Sequence, residues 1–271
     1  MKFSICNELF ENWPIEKVFV TAAEIGYDGV EIAPFTLATS VYEIIDARRR
    51  EIARAAADAG VEIVGLHWLL VKPEGLYINH PDADVRKRTR DYLDALICLC
   101  SDLGGRVLIF GSPKQRNVHE SLTYEQAWNY ACETFSHCAE KARENDVYLC
   151  IEALPPRETN FINTVEEALA MVRAVGKPNF RTMVDVKSMC SEARSIPEIV
   201  CSAGEHIMHV HANDASGRGP GMGDTDFHVV SSALREIRYN GYVSVEVFDY
   251  KPDPITIAKQ SLAYLRETFG C

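Results

Sequence analysis

Lys2-Phe3-Ser4-Ile5-Cys6-Asn7-Glu8-Leu9-Phe10 opens the chain with a short apolar run and leaves it through a turn without glycine. An open, doubly wound sheet normally carries a glycine-rich phosphate loop at this point, so the missing glycines argue against that architecture. Seven more short apolar or β-branched runs follow, near 29–33, 62–67, 107–110, 147–153, 182–186, 207–212 and 243–248. Between them, stretches at 15–25, 41–59, 84–103, 124–144, 165–175, 196–203, 229–238 and 255–268 carry apolar residues at three-to-four spacing, the mark of amphipathic helices. Gly60 and Gly104-Gly105 close helices, Thr164 stands at the cap position before Val165-Glu166-Glu167, and Pro197 sits near a helix start. Eight strand–helix units of about 34 residues each match the ~250 residues usual for a (β/α)8 barrel. The expectation is one α/β barrel domain over residues 1–271, since no Pro/Gly/Ser-rich linker or low-complexity segment divides the chain.

Composition bounds the function. The 271 residues include 28 Lys and Arg against 39 Asp and Glu, a net charge of −11 that repels nucleic acid and anionic lipid. No apolar run approaches the roughly 20 residues of a membrane span, and the N-terminus turns polar too early for a signal peptide. Nine scattered cysteines without a Cys-x-x-Cys pair suit free thiols in a reducing cytoplasm, so a cytoplasmic protein with a small-molecule substrate is expected.

In such a barrel, chemistry sits at the carboxyl ends of the strands. Strand five, Val147-Tyr148-Leu149-Cys150-Ile151-Glu152, turns Glu152 inward at its end, and strand six, Thr182-Met183-Val184-Asp185, ends in Asp185. Strand seven, Ile207-Met208-His209-Val210-His211, turns His209 and His211 inward; strand eight, Val243-Ser244-Val245-Glu246-Val247, does the same with Glu246. The intervals Glu152–Asp185, Asp185–His211 and His211–Glu246 are 33, 26 and 35 residues, each close to one βα unit, so the four side chains converge above strands five to eight. Singly, each has an ordinary explanation as a capping carboxylate or a packed histidine. Jointly, three carboxylates and one imidazole form a mostly oxygen site for one divalent cation, Mn²⁺ first, with Mg²⁺ or Co²⁺ also suited. His67 and Trp68 end strand three, where a hydroxyl contact and an aromatic wall are expected. His209 is placed to orient Asp185 or the substrate.

Ile-Glu152-Ala-Leu, Met-Val-Asp185-Val, His-Val-His211-Ala-Asn-Asp and Val-Glu246-Val-Phe resemble the metal quartet of the sugar phosphate isomerase/epimerase superfamily, the xylose isomerase-like TIM barrels that include ketose 3-epimerases and inosose-processing enzymes. Gly26-Tyr27-Asp28-Gly29-Val30-Glu31 and Gly217-Arg218-Gly219-Pro220-Gly221-Met222-Gly223-Asp224 extend the likeness over almost the whole chain. The resemblance implies that the metal holds two vicinal oxygens of a ketose or related polyol ketone. Glu152 and Glu246 then remove and return a proton on opposite faces of one carbon, through a cis-enediolate. It also implies substrate contacts from Glu158 and Arg218, and a homo-oligomer, dimer or tetramer. One departure stands out: where the epimerases carry Asp-x-x-His, this chain has Asp185-Val186-Lys187-Ser188. Lys187 is then a candidate for holding a carboxylate, phosphate or enolate oxygen, or for pairing with Glu192. The alternative activity is a lyase or hydratase on a keto-sugar, keto-glycoside or inosose. It shares the first step, then expels a β-oxygen under a proton donor, for which His67, His209 and Lys187 are candidates.

Overall fold

A computed structural model describes residues 1–270. Eight parallel strands close into one barrel in sequence order: β1 (Lys2–Cys6), β2 (Gly29–Ile32), β3 (Glu62–Leu66), β4 (Val107–Phe110), β5 (Tyr148–Ile151), β6 (Phe180–Asp185), β7 (Ile207–Ala212) and β8 (Tyr242–Val245). The layer around them is α1 (Ile15–Ile25), α2 (Asp46–Ala59), α3 (Ala83–Asp102), α4 (Tyr124–Glu144), α5 (Val165–Val175), α6 (Val186–Met189), α7 (Ile196–Ala203), α8 (Phe227–Glu236) and α9 (Pro254–Phe269). Among the described residues, no helix is long and apolar enough to cross a membrane.

Alternation along the strands separates two cores. On β4, Leu108 and Phe110 pack with the helix layer, while Val107 and Ile109 face the other way and join Val64, Cys150 and Met183 in a separate apolar plug inside the barrel. Polar side chains occupy the interior elsewhere, and among the described residues Cys6, Cys100, Cys138 and Cys150 are buried free thiols. Helix ends follow local chemistry. Thr123 and Gln126 cap α4 reciprocally, Thr164 accepts from the Glu167 amide at the start of α5, and Gly26, Gly60 and Gly176 end their helices at positive φ.

Four segments differ from the sequence expectation. The stretch 41–59 is one 3-10 turn, Val41–Glu43, then α2, because Ile44 and Ile45 leave the helical region and the Arg49 Nε donates to the Ile44 carbonyl. After β6 the short α6 starts at once, capped by Asp185. The strands near 147–153 and 243–248 stop at Ile151 and Val245, one residue short of Glu152 and Glu246. Both residues stay pinned: the Glu152 amide donates to the Phe110 carbonyl at 3.2 Å and the Glu246 amide to the Ala212 carbonyl at 3.3 Å.

Candidate metal centre

Register brings the quartet together. Asp185 and His211 are direct neighbours across β6 and β7, and Glu246 follows the Ala212–Val245 pair of β7 and β8. Each of Glu152, Asp185, His211 and Glu246 offers one ligand atom, all within 4.8 Å of one another and all buried. His211 Nδ1 lies 3.1 Å from Glu246 Oε2 and 3.9 Å from Glu152 Oε1. That nitrogen is buried without a hydrogen-bond partner, an orphan aimed among three carboxylates. Unmet nitrogen and crowded oxygens are the condition a divalent cation relieves, so the donor set fits one.

Electrostatics agree. Burial, followed by the Glu246 and Asp185 charges, pushes Glu152 up to about 8 against the pull of His211. Burial and Glu246 likewise raise Asp185. Glu246 moves the other way despite its burial, because His211 lies against it.

Two residues that sequence reasoning did not single out hold Glu152. Arg116 is fully buried, and its guanidinium donates from Nη1 to the Glu152 carbonyl and from Nη2 to the Phe110 carbonyl, both at 2.6 Å. Arg116→Met is expected to destabilise by roughly 2–4 kcal/mol, because two buried carbonyls lose charged donors; an unchanged denaturant midpoint would remove Arg116 from this role. Gly111 follows β4, and a Cβ there would lie 2.0 Å from Glu152 Oε2. Gly111→Ala therefore has to displace the carboxylate. Mn²⁺ affinity is expected to fall about 10–100-fold, as a displaced donor would require; unchanged affinity would show that Glu152 does not need its present position.

A family model described as a xylose isomerase-like TIM barrel matches residues 19–268. The chain belongs to that family. Among curated relatives of this xylose isomerase-like barrel, a D-psicose 3-epimerase of Agrobacterium fabrum is 29% identical over 237 residues, which cover 86% of this chain and 78% of the relative. A fructoselysine 3-epimerase of Shigella flexneri is 24% identical over 262 residues, covering 93% and 92%. The fold superposes on a solved D-psicose 3-epimerase with a TM-score of 0.87 at 24% identity, over all of both chains.

The other expected site residues of this xylose isomerase-like barrel divide into two groups. His67, Trp68 and Glu158 line a small cavity over the quartet, together with Glu152, His211, Glu246, Gly111, Pro113, Leu154 and Phe248. Trp68 holds a φ of 52°, a left-handed conformation that costs a bulky side chain energy and sets its ring 6.5 Å from that of Phe248. Lys187 pairs with Glu158 at 2.7 Å and lies 4.1 Å over the Phe248 ring. The expected alternative partner, Glu192, instead accepts from the Val165 amide, so that pairing is corrected. Arg218 is exposed and is absent from the cavity wall.

His209 does not reach Asp185. Its Nε2 lies 2.7 Å from Glu31 Oε2, in the barrel interior. Asp185 is instead fixed by the Ser188 amide on Oδ1 at 2.7 Å and the Asn213 side-chain amide on Oδ2 at 2.6 Å. His67 Nε2 lies 2.7 Å from Glu8 and its Nδ1 3.5 Å from Glu31. Burial pushes the His67 imidazole down, but these two carboxylates outweigh it and lift it to about 9. Burial also acts to raise the Glu31 carboxyl, yet His209 and His211 hold it well below the usual carboxylate range.

Proposed function

We propose that this chain is a divalent-metal-dependent sugar epimerase that exchanges a proton next to the carbonyl of a ketose or related polyol ketone, through a cis-enediolate. That it is an enzyme of the isomerase and epimerase class is supported by its relatives, which include D-psicose, L-ribulose and fructoselysine 3-epimerases. The observation that carries the reading is the pair Glu152 and Glu246, two carboxylates lining one small cavity with the orphan His211 Nδ1 between them.

Glu152, Asp185, His211 and Glu246 would hold the cation, and the oxygen-rich set favours Mn²⁺. When bound, it would polarise the carbonyl and its neighbouring hydroxyl, making the adjacent C–H more acidic. Glu152 and Glu246 then divide the proton work, one carboxylate taking the proton and the other returning one to the carbon. Glu158, on the cavity wall and oriented by Lys187, offers an acceptor for a substrate hydroxyl. Trp68, Leu154 and Phe248 keep bulk water from the carbanionic carbon.

Elimination would need a free donor over the β-oxygen. His67 faces Glu8 and Glu31, His209 is tied to Glu31 away from the cavity wall, and Lys187 is engaged by Glu158. These engagements favour returning the proton to carbon over expelling an oxygen. Incubating Mn²⁺-loaded protein with a ketose panel, then separating products by ligand-exchange chromatography, tests this. The 3-epimer of at least one ketose is expected, and chelation should abolish it. A dehydrated product would move the assignment to a lyase.

A linked prediction concerns protons. Without a cation Glu152 titrates near 8, so at pH 7 it is mostly protonated and must lose that proton to bind metal. Burial acts to lower the His211 imidazole, but Glu246 and Glu31 hold it well above its usual range, so it too must give up a proton. Mn²⁺ uptake at pH 7 is expected to release more than one proton, and affinity should weaken as pH falls below 8. Calorimetry in buffers of different ionisation enthalpy reads this directly; buffer-independent heats would contradict it.

A further inference from the structure

Glu31 lies on β2, and His211 on β7, with β8 and β1 between them in the barrel. The carboxylate nevertheless reaches His211, because the interior residues of the intervening strands are small: Ser244 on β8, Ser4 and Cys6 on β1. There it meets three imidazoles. Oε1 is 3.1 Å from His211 Nε2 and 3.5 Å from His67 Nδ1, and Oε2 is 2.7 Å from His209 Nε2. The His211 ring is wedged edge-on between the other two, with centroids 5.2 Å from His209 and 6.0 Å from His67.

We propose that Glu31 is the positioning residue of the metal centre, fixing which nitrogen of His211 is offered as a ligand. An ionised carboxylate only accepts hydrogen bonds, so the His211 nitrogen facing it carries the hydrogen. That leaves Nδ1, which lies among Glu152, Asp185 and Glu246, as the nitrogen that can offer a lone pair to a cation. Carboxylates that receive the far N–H of a ligating histidine set ring orientation and strengthen the donor. Glu31 holds His209, and Glu8 holds His67 through Nε2, which fixes the walls against which the His211 ring would have to turn. An aspartate, one methylene shorter, would not span the interior, and a glutamine would present a donor to one of the imidazoles.

The inference rests on the quartet being a metal site, and its test separates the two ideas. Mn²⁺ affinity is measured by chelator competition in wild type, Glu31→Gln and the core-plug variant Ile109→Val. The His211 tautomer is read by long-range ¹H–¹⁵N NMR of the metal-free wild-type and Glu31→Gln proteins. Glu31→Gln should weaken Mn²⁺ binding about 10–100-fold and mix the His211 tautomers. Ile109→Val should lower the melting temperature without changing Mn²⁺ affinity, separating loss of stability from loss of positioning. Wild-type affinity and an unmixed tautomer in Glu31→Gln would overturn the proposal. So would a wild-type His211 whose Nε2 carries no hydrogen, a result that stands even if the variant fails to fold. Absence of any Mn²⁺ uptake by wild type would defeat the metal reading instead, and the NMR arm would still decide the Glu31–His211 contact.

Discussion

Glu246→Gln should lower kcat by about 10³–10⁴-fold, measured at saturating Mn²⁺ so that weaker metal binding does not obscure the chemical step. The amide keeps the volume of the buried side chain, and the backbone anchor from the Glu246 amide to the Ala212 carbonyl is untouched. What disappears is the carboxylate proposed to accept or return the proton, 3.1 Å from the His211 nitrogen. The loss should therefore fall on kcat more than on KM, with a melting temperature within a few degrees of wild type. Substantial kcat in a folded, metal-loaded Glu246→Gln protein would remove Glu246 from the proton transfer.

Asp185→Asn should act on the metal instead. Both oxygens of Asp185 accept from neutral N–H groups, those of Ser188 and Asn213, so an asparagine amide group would meet a donor on whichever side it faced. The variant loses one of the three carboxylates proposed to hold the cation and gains a donor–donor conflict at the start of α6. Mn²⁺ affinity is expected to drop at least 100-fold, beyond the 10–100-fold usual for an outer partner, since a ligand itself is changed. Stability should fall by about 1–3 kcal/mol from the unsatisfied group. A metal titration superimposable on wild type would exclude Asp185 from the coordination set.

The barrel was legible because its signals are local. Two-residue alternation, helical spacing and glycine stops each lie within a dozen residues, and the missing glycine after β1 separated the closed barrel from its rival. The convergence of Glu152, Asp185, His211 and Glu246 was legible for the same reason: each sits at one strand end, at intervals the fold keeps nearly constant. The groups that hold them in place were not. Arg116 acts on Glu152 through backbone carbonyls, Gly111 matters for the atoms it lacks, and Glu31 reaches His211 past two intervening strands. None of these contacts has a sequence spacing to betray it. Lys187 was visible as a cation out of place, but its choice of Glu158 over Glu192 depends on how the loop after β5 folds over the barrel mouth.

The most direct test of proton exchange beside a carbonyl is ¹H NMR of a ketose turned over in D₂O. The Mn²⁺-loaded protein should erase the signal of the hydrogen next to the carbonyl in recovered substrate and epimer alike. Chelation or Glu246→Gln should preserve it. Epimer that forms with that hydrogen fully retained would contradict the account.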